Sequence, residues 1–441
     1  MFGDGSGGNT LTIDGWIIFT IFIITYIFIL FFERIQRTTA ALSGAIIVMM
    51  FAMYRGIVHE EDAISFIKFD IIVLLMSMMI IVNVLLETGF FGYVALKLAK
   101  MSNGNVGHLL LLLGIGTAFL SMIVDNVTTI ILFIPITVEI SKKLELNPIP
   151  FLISQAIMSN VGGVATMVGD PPNIIIASFA NFTFNDFLIH LLPVVIVIGV
   201  MVIFLIRHTY HDWICSSTNC LDKFVDFNPE DEITDRATMN KTLVILFFVF
   251  SLFIIHDELG VSPSFVALTG AGATLLVNYY DPEKVLKHVE WSSLLFYSSL
   301  FIIVGVMEVE GIFLEFADRL ISIAGEDELR ATLLILWATG LLTSVVDRIS
   351  TTVAMAPVII HIGAVSTLPV EPLWWALAMG VGFGGNATPI GSASGIVTVG
   401  LANKYNIDIS LKDWVKVGVP AALISLVFCT FVLIAFWGFY S

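Results

Sequence analysis

Long apolar segments alternate with short polar stretches along the whole chain. They lie at roughly 16–32, 40–54, 70–86, 150–182 and 188–206, and again at 242–255, 264–279, 292–307, 372–402 and 416–437. Runs such as Trp16 to Phe32 and Trp291 to Met307 approach the ~20 residues that a helix needs to cross a bilayer. Between the third and fourth segments of each set lies one more apolar stretch, 108–140 and 331–362, with an aspartate in its middle. One straight helix of that length would be about 48 Å long, against a hydrocarbon core of about 30 Å. Each stretch is therefore predicted to fold in two at Asp125 or Asp347, as a re-entrant helical hairpin that enters and leaves on one side.

The two sets are copies. A shift of 222 positions carries Asp125 to Asp347, Thr129 to Thr351, Pro135 to Pro357, Gly162-Gly163 to Gly384-Gly385, Thr166 to Thr388 and Gly89 to Gly311. Further on, Asn185 to Pro193 matches Lys412 to Pro420 after five inserted residues. Five spans in each half is an odd number, so the copies face opposite ways, as in alternating-access transporters with inverted repeats. The expected units are a first repeat at 16–206, a polar, acidic cytoplasmic linker at 207–241, and a second repeat at 242–437.

Composition agrees with a membrane-embedded chain. Only 13% of the 441 residues are charged, 57% are hydrophobic, and the mean hydropathy is +0.96. A soluble domain carries about 25% charged residues. An outer-membrane barrel would show short alternating segments instead. The residues before Trp16 are glycine-rich with Asp4 and Asp14, so the first segment is not expected to be a cleaved signal. With the N-terminus outside and no net crossing by either hairpin, fifteen of the twenty Lys and Arg residues fall in inner loops, Arg34, Arg37 and Lys223 among them. That distribution favours ten spans with both termini outside. The net charge of −16 excludes a nucleic-acid partner. Three cysteines, Cys215, Cys220 and Cys429, give no disulfide framework.

A carboxylate at the bilayer centre costs about 2.5–3.5 kcal/mol, so Asp125 at a hairpin tip, with Asn126 beside it, is a candidate cation site. Its competing role is to cap the second hairpin arm. The segment 150–182 is long enough for two half-helices. Gly162, Gly163 and Gly169 loosen its centre, and Pro171-Pro172 favour a fresh start near Pro172. The new half-helix is expected to point free N–H groups and a positive dipole end at the midplane, with Thr388-Pro389 and Gly391-Ser392 corresponding in the second copy. Close packing of helices is the alternative use of the glycines.

The runs Asp125 to Thr137 and Gly162 to Ile176, with His288 to Phe296, resemble the ion transporter superfamily, in the branch of arsenite permeases, the P protein and citrate-transporter-like permeases. The resemblance spans about residues 16–437. It implies an all-α, homodimeric, elevator-type transporter and not an enzyme, with a scaffold and a mobile domain of hairpins and broken helices. It also implies substrate and cation sites on Asp125, Asn126, Thr128, Gly163, Thr166, Asp170 and Asn173, with Asp347, Asn386, Thr388 and Ser392 in the second half. Sodium would sit at Asp125 and Asn126. One position departs from the family: Asp347 is followed by Arg348, where the first copy has Asn126. A guanidinium stays charged and needs an anion beside it. Arg348 is expected to act as a built-in cation; bidentate binding of an anionic substrate and a structural ion pair with Asp347 are the competing roles.

A secondary transporter of a small anion or oxyacid (arsenite, antimonite or a carboxylate), coupled to H⁺ or Na⁺ without other cofactors, is the leading expectation. The plasma or inner membrane is its expected place. A Na⁺/H⁺ antiporter and a channel are the alternatives. An intramembrane aspartyl protease would need G-x-G-D, whereas Met167 to Asp170 reads M-V-G-D. No phosphate-binding G-x-x-x-x-G-K-[ST] loop is present, so an arsenite pump would need a separate ATPase subunit. His208, His211, Cys215 and Cys220 in the linker are read as a solvated loop rather than a metal site. Glu87 and Glu310 are expected to be interfacial, and Trp374, Trp375, Trp414 and Trp437 to be interface anchors.

Overall fold

A computed structural model describes residues 12–31, 36–217, 228–325, 327–366 and 368–440. Cys220, Arg34 and Lys223 lie outside them. The described chain is helical, and two pairs of helices in the two copies correspond to the residue. Phe69–Glu87 recurs as Trp291–Val309 and Asn126–Lys143 as Arg348–Val365, each shifted by the same 222 positions. Both long stretches are hairpins, with arms Val106–Ser121 and Asn126–Lys143 in the first and Glu328–Leu342 and Arg348–Val365 in the second. Both long fourth segments are broken: Ile149–Gly163 stops before Pro171–Ala180, and Glu371–Gly384 before Ala393–Lys404. The fold is thus an all-helical polytopic one of two inverted repeats, each with a hairpin and a discontinuous helix. Among the described residues, seven helices are long and apolar enough to cross a membrane.

The five inserted residues also have a structural counterpart. Thr183 and Asp186 form a capping box that starts Phe184–His190, and Ser410 and Asp413 form the same box at the start of Leu411–Ala435. Helix Arg236–Ile255 begins six residues before the expected 242, because the Asp235 carboxylate accepts from the amides of Ala237 at 3.0 Å and Thr238 at 3.1 Å. Gly89 and Gly311, at φ 79° and 74°, turn the chain into Phe90–Met101 and Ile312–Ala324, two helices in stretches that the apolar pattern left as connections.

The repeats interlock rather than sit side by side. The first copy's Arg37–Tyr54 packs on the second copy's Trp291–Val309, and Phe69–Glu87 packs on Pro263–Asn278. The broken helices exchange partners in the same way: Asn126–Lys143 lies against Ala393–Lys404, and Arg348–Val365 against Pro171–Ala180. Within each repeat, the first hairpin arm packs on the first half of its broken helix. Glycine sets that approach. A Cβ on Gly162 would stand 2.0 Å from the Ala118 carbonyl, and one on Gly384 2.2 Å from that of Gly340.

Three of the four expected tryptophan anchors are core residues instead. Trp374, Trp375 and Trp414 are buried, and only Trp437 is partly exposed. Trp375 stacks against Phe182 and His190, and the Trp414 indole donates to the Asn386 carbonyl at 3.0 Å. The Trp414 ring thus answers an interior carbonyl, whereas Trp375 is held by ring stacking alone, its Nε1 buried without a hydrogen-bond partner among the described residues. Glu87 and Glu310 do lie at exposed helix ends, accepting from Tyr280 and Thr12.

Gly162→Ala and Gly384→Ala should each destabilise the protein by about 1–3 kcal/mol, since backbone cannot yield as a side chain can. Gly199→Ala, whose Cβ would meet only Val161 at 3.9 Å, is the control. Thermal unfolding of the three variants in detergent measures the difference; equal behaviour would contradict the close approach.

Candidate functional site

The two hairpin tips meet in the interior. Asp125 and Asn126 from the first and Asp347 and Arg348 from the second line one cavity of about 150 Å³. Asp170 and Pro171 of one broken helix and Ala393 of the other complete that wall. The facing wall comes from helix starts outside the hairpins: Arg37 and Thr38, then Glu290, Ser292 and Ser293. Four carboxylates and two guanidiniums therefore face one small space.

Each tip aspartate is also the cap of its second arm. Asp125 Oδ1 accepts from the Val127 and Thr128 amides, both at 3.0 Å, and Oδ2 from the Thr128 hydroxyl at 2.6 Å. Asp347 accepts from the Ser350 amide at 3.0 Å and from the Ser350 hydroxyl. Capping and ion binding, set against each other by the sequence, do not compete in this geometry: the cap holds a carboxylate at a helix start that already lines the cavity.

The second residue of each tip differs. Asn126 Oδ1 accepts from the Ser121 hydroxyl, while its amide nitrogen, buried, makes no formed hydrogen bond. Arg348 reaches across the repeats: Nη1 donates to Asp170 Oδ2, and Nη2 to Asn160 Oδ1 at 2.8 Å. Its partner is thus Asp170 and not Asp347. The Asp347 carboxylate is taken by its own helix start, whereas Asp170 has little to cap. Pro171 and Pro172 carry no N–H, and the Asn173 amide already donates to the Asp170 carbonyl at 2.9 Å. The same fact corrects the expected cradle of free amides at this half-helix. In the second copy Ser392 takes the Gly395 amide at 3.1 Å.

Glycine again makes room at matched positions. A Cβ on Gly163 would fall 2.2 Å from Asn126 Oδ1, and one on Gly385 2.9 Å from the Arg348 Cδ. Thr166 and Thr388 brace the tips from beside the cavity. Their hydroxyls donate to the carbonyls of Met122 at 2.7 Å and Ser344 at 2.5 Å and accept the amides of Gly169 and Gly391. Asn173 closes off the end of the first half-helix by donating to the Thr166 carbonyl at 2.8 Å. Of the residues named from the sequence, Asp125, Asn126, Asp170, Asp347 and Arg348 line the cavity. Thr128, Gly163, Thr166, Asn173, Asn386, Thr388 and Ser392 stand behind it.

Asn160 was not among the candidates and is the hub of this network. Its amide donates to Asn386 Oδ1 at 2.8 Å and Ser392 Oγ at 3.0 Å, and its carbonyl oxygen accepts from Arg348 and, at 2.6 Å, from Ser394. The available signal was an amide, one of two with Gln155, inside the apolar run Ile149–Gly163, where an unpaired polar group is costly. In the linker, Cys215 Sγ lies 3.7 Å from His211 Nε2, both exposed, and no group of three metal-ligating side chains occurs among the described residues.

Asp170→Asn strands the buried Arg348 charge and should cost about 3–5 kcal/mol, whereas Asp170→Asn with Arg348→Asn should recover most of that loss. Thermal unfolding of both single variants and the double variant tests the pair; additive losses would show that the two side chains act independently.

A family model described as citrate transporter matches residues 26–380. A 46 kDa membrane protein of Mycobacterium leprae is 37% identical over 92% of this chain and 95% of its own length. The P protein of Mus musculus is 30% identical over 90% of this chain, which spans 57% of that longer protein. The crystal structure of the YdaH transporter of Alcanivorax borkumensis shares the fold, with a TM-score of 0.59, 12% identity, and coverage of 97% of this chain and 99% of that one. With its two hairpins, its broken helices and this match over most of its length, the chain belongs to the citrate transporter family and is a multi-pass membrane transporter.

Proposed function

We propose that this transporter moves a small carboxylate or oxyacid anion by secondary active transport, coupled to H⁺ or Na⁺, with the hairpins and broken helices moving as an elevator against the remaining helices. One observation carries this reading: both hairpin tips and the first helix break deliver charged side chains to a single cavity, which the second break joins through Ala393. Ionised, its four carboxylates outnumber its two guanidiniums, so an anion enters only with cations or protons that cancel the excess. Asp125 and Asn126 form the exchangeable cation site. Arg348 stands at the matching position of the second copy and neutralises Asp170 permanently, so one of two coupling cations is replaced by a fixed charge. A carboxylate suits this site better than neutral arsenite, which would call on uncharged donors rather than arginine.

The surplus of carboxylates also supports a second reading, a Na⁺/H⁺ antiporter, in which no anion binds at all. Thermal stabilisation of the purified protein by citrate, dicarboxylates, arsenite and chloride, crossed with Na⁺ and pH, separates the two. Carboxylate transport requires an anion effect that depends on the cation, whereas stabilisation by Na⁺ alone favours the antiporter. In proteoliposomes, Arg348→Asn should increase the number of cations moved per substrate by about one. Unchanged stoichiometry in a folded variant would remove the fixed-cation role.

A further inference from the structure

The carboxylates of the cavity are already engaged. Asp125 and Asp347 cap their helices, Asp170 holds Arg348, and Glu290 accepts from the Ser293 hydroxyl at 3.1 Å. Both terminal nitrogens of Arg348 are engaged as well. Arg37 is different. It lines the same cavity, half-buried, at the first position of Arg37–Tyr54, and makes no hydrogen bond or ion pair among the described residues. Its helix start is nevertheless fixed, because Thr38 Oγ1 donates to the Ser292 carbonyl at 2.9 Å and the helix packs along Trp291–Val309. A guanidinium offers five donors in a planar fork, and leaving them unanswered in a partly dehydrated space is costly.

We infer that Arg37 is a substrate-binding residue: its guanidinium receives the paired oxygens of a carboxylate in a two-point contact, with the Ser292 and Ser293 hydroxyls on the same wall of the cavity. The assignment deepens the carboxylate reading above and rests on it. It also gives the site two faces with different duties. The tips hold the cation and move, whereas Arg37 belongs to the facing helices. The contact therefore forms on one side of the membrane only, the cytoplasmic side in the orientation expected from the Lys and Arg distribution. An anionic lipid headgroup offers the same oxygen chemistry as a free anion, and the two sources separate by experiment.

The test uses the full chain with Arg37→Gln and Arg37→Lys, the latter keeping the charge that fixes orientation. Citrate and succinate binding is measured by calorimetry in detergent free of anionic lipid, and transport KM from each face of proteoliposomes. Arg37→Gln should weaken carboxylate binding roughly ten- to hundredfold, and Arg37→Lys should recover it only in part, since an ammonium cannot make the two-point contact. The rise in KM should appear on one face alone. Carboxylate affinity within twofold of the unaltered protein, an equal KM rise on both faces, or an effect seen only when anionic lipid is restored would each overturn the assignment. Absence of carboxylate binding in the unaltered protein would overturn the carboxylate reading and this contact together.

Discussion

A helix that begins inside a membrane protein exposes its first amides where no water can reach them, and this constraint shapes both hairpins. Asp125 and Asp347 answer it as caps, each joined by a hydroxyl three residues on, from Thr128 or Ser350. The acidic groups are therefore needed to make the turn at all. Because each turn sits at the meeting point of the two copies, the cap delivers a carboxylate to a shared interior cavity.

The duplication supplies a frame in which one position can diverge while its surroundings are kept. Thr166 and Thr388 brace the two tips by the same pair of bonds, and Gly163 and Gly385 clear space beside the second tip residue in both. Within that shared geometry Asn126 has become Arg348. The longer side chain spans to the opposite repeat, where proline has left Asp170 without amides to cap. Substitution at one tip and proline at the other repeat's break thus form a single arrangement, held by Asn160.

Much of the fold could be read directly. Hairpins at 108–140 and 331–362 and broken helices at 150–182 and 372–402 all appear with small boundary shifts. Tryptophan placement could not be read in this way. Indole rings favour membrane interfaces and also dry cores that offer ring partners or a carbonyl, and only the three-dimensional neighbours of Trp375 and Trp414 distinguish the two. Arg37 was read as one more cytoplasmic charge for a similar reason, since a sequence shows that a charge lies at a span end but not what it faces.

The sequence by itself determined the membrane class, the 222-residue repeat and the acidic turns, because length, hydropathy and self-similarity are properties of the linear chain. Tertiary structure decided the partnerships: Arg348 with Asp170 rather than Asp347, Asn160 as the link between repeats, and Arg37 on the wall opposite the tips. Such pairings depend on which helix ends converge and which carboxylates their own amides have already claimed. Those two facts exist only once the copies have interlocked.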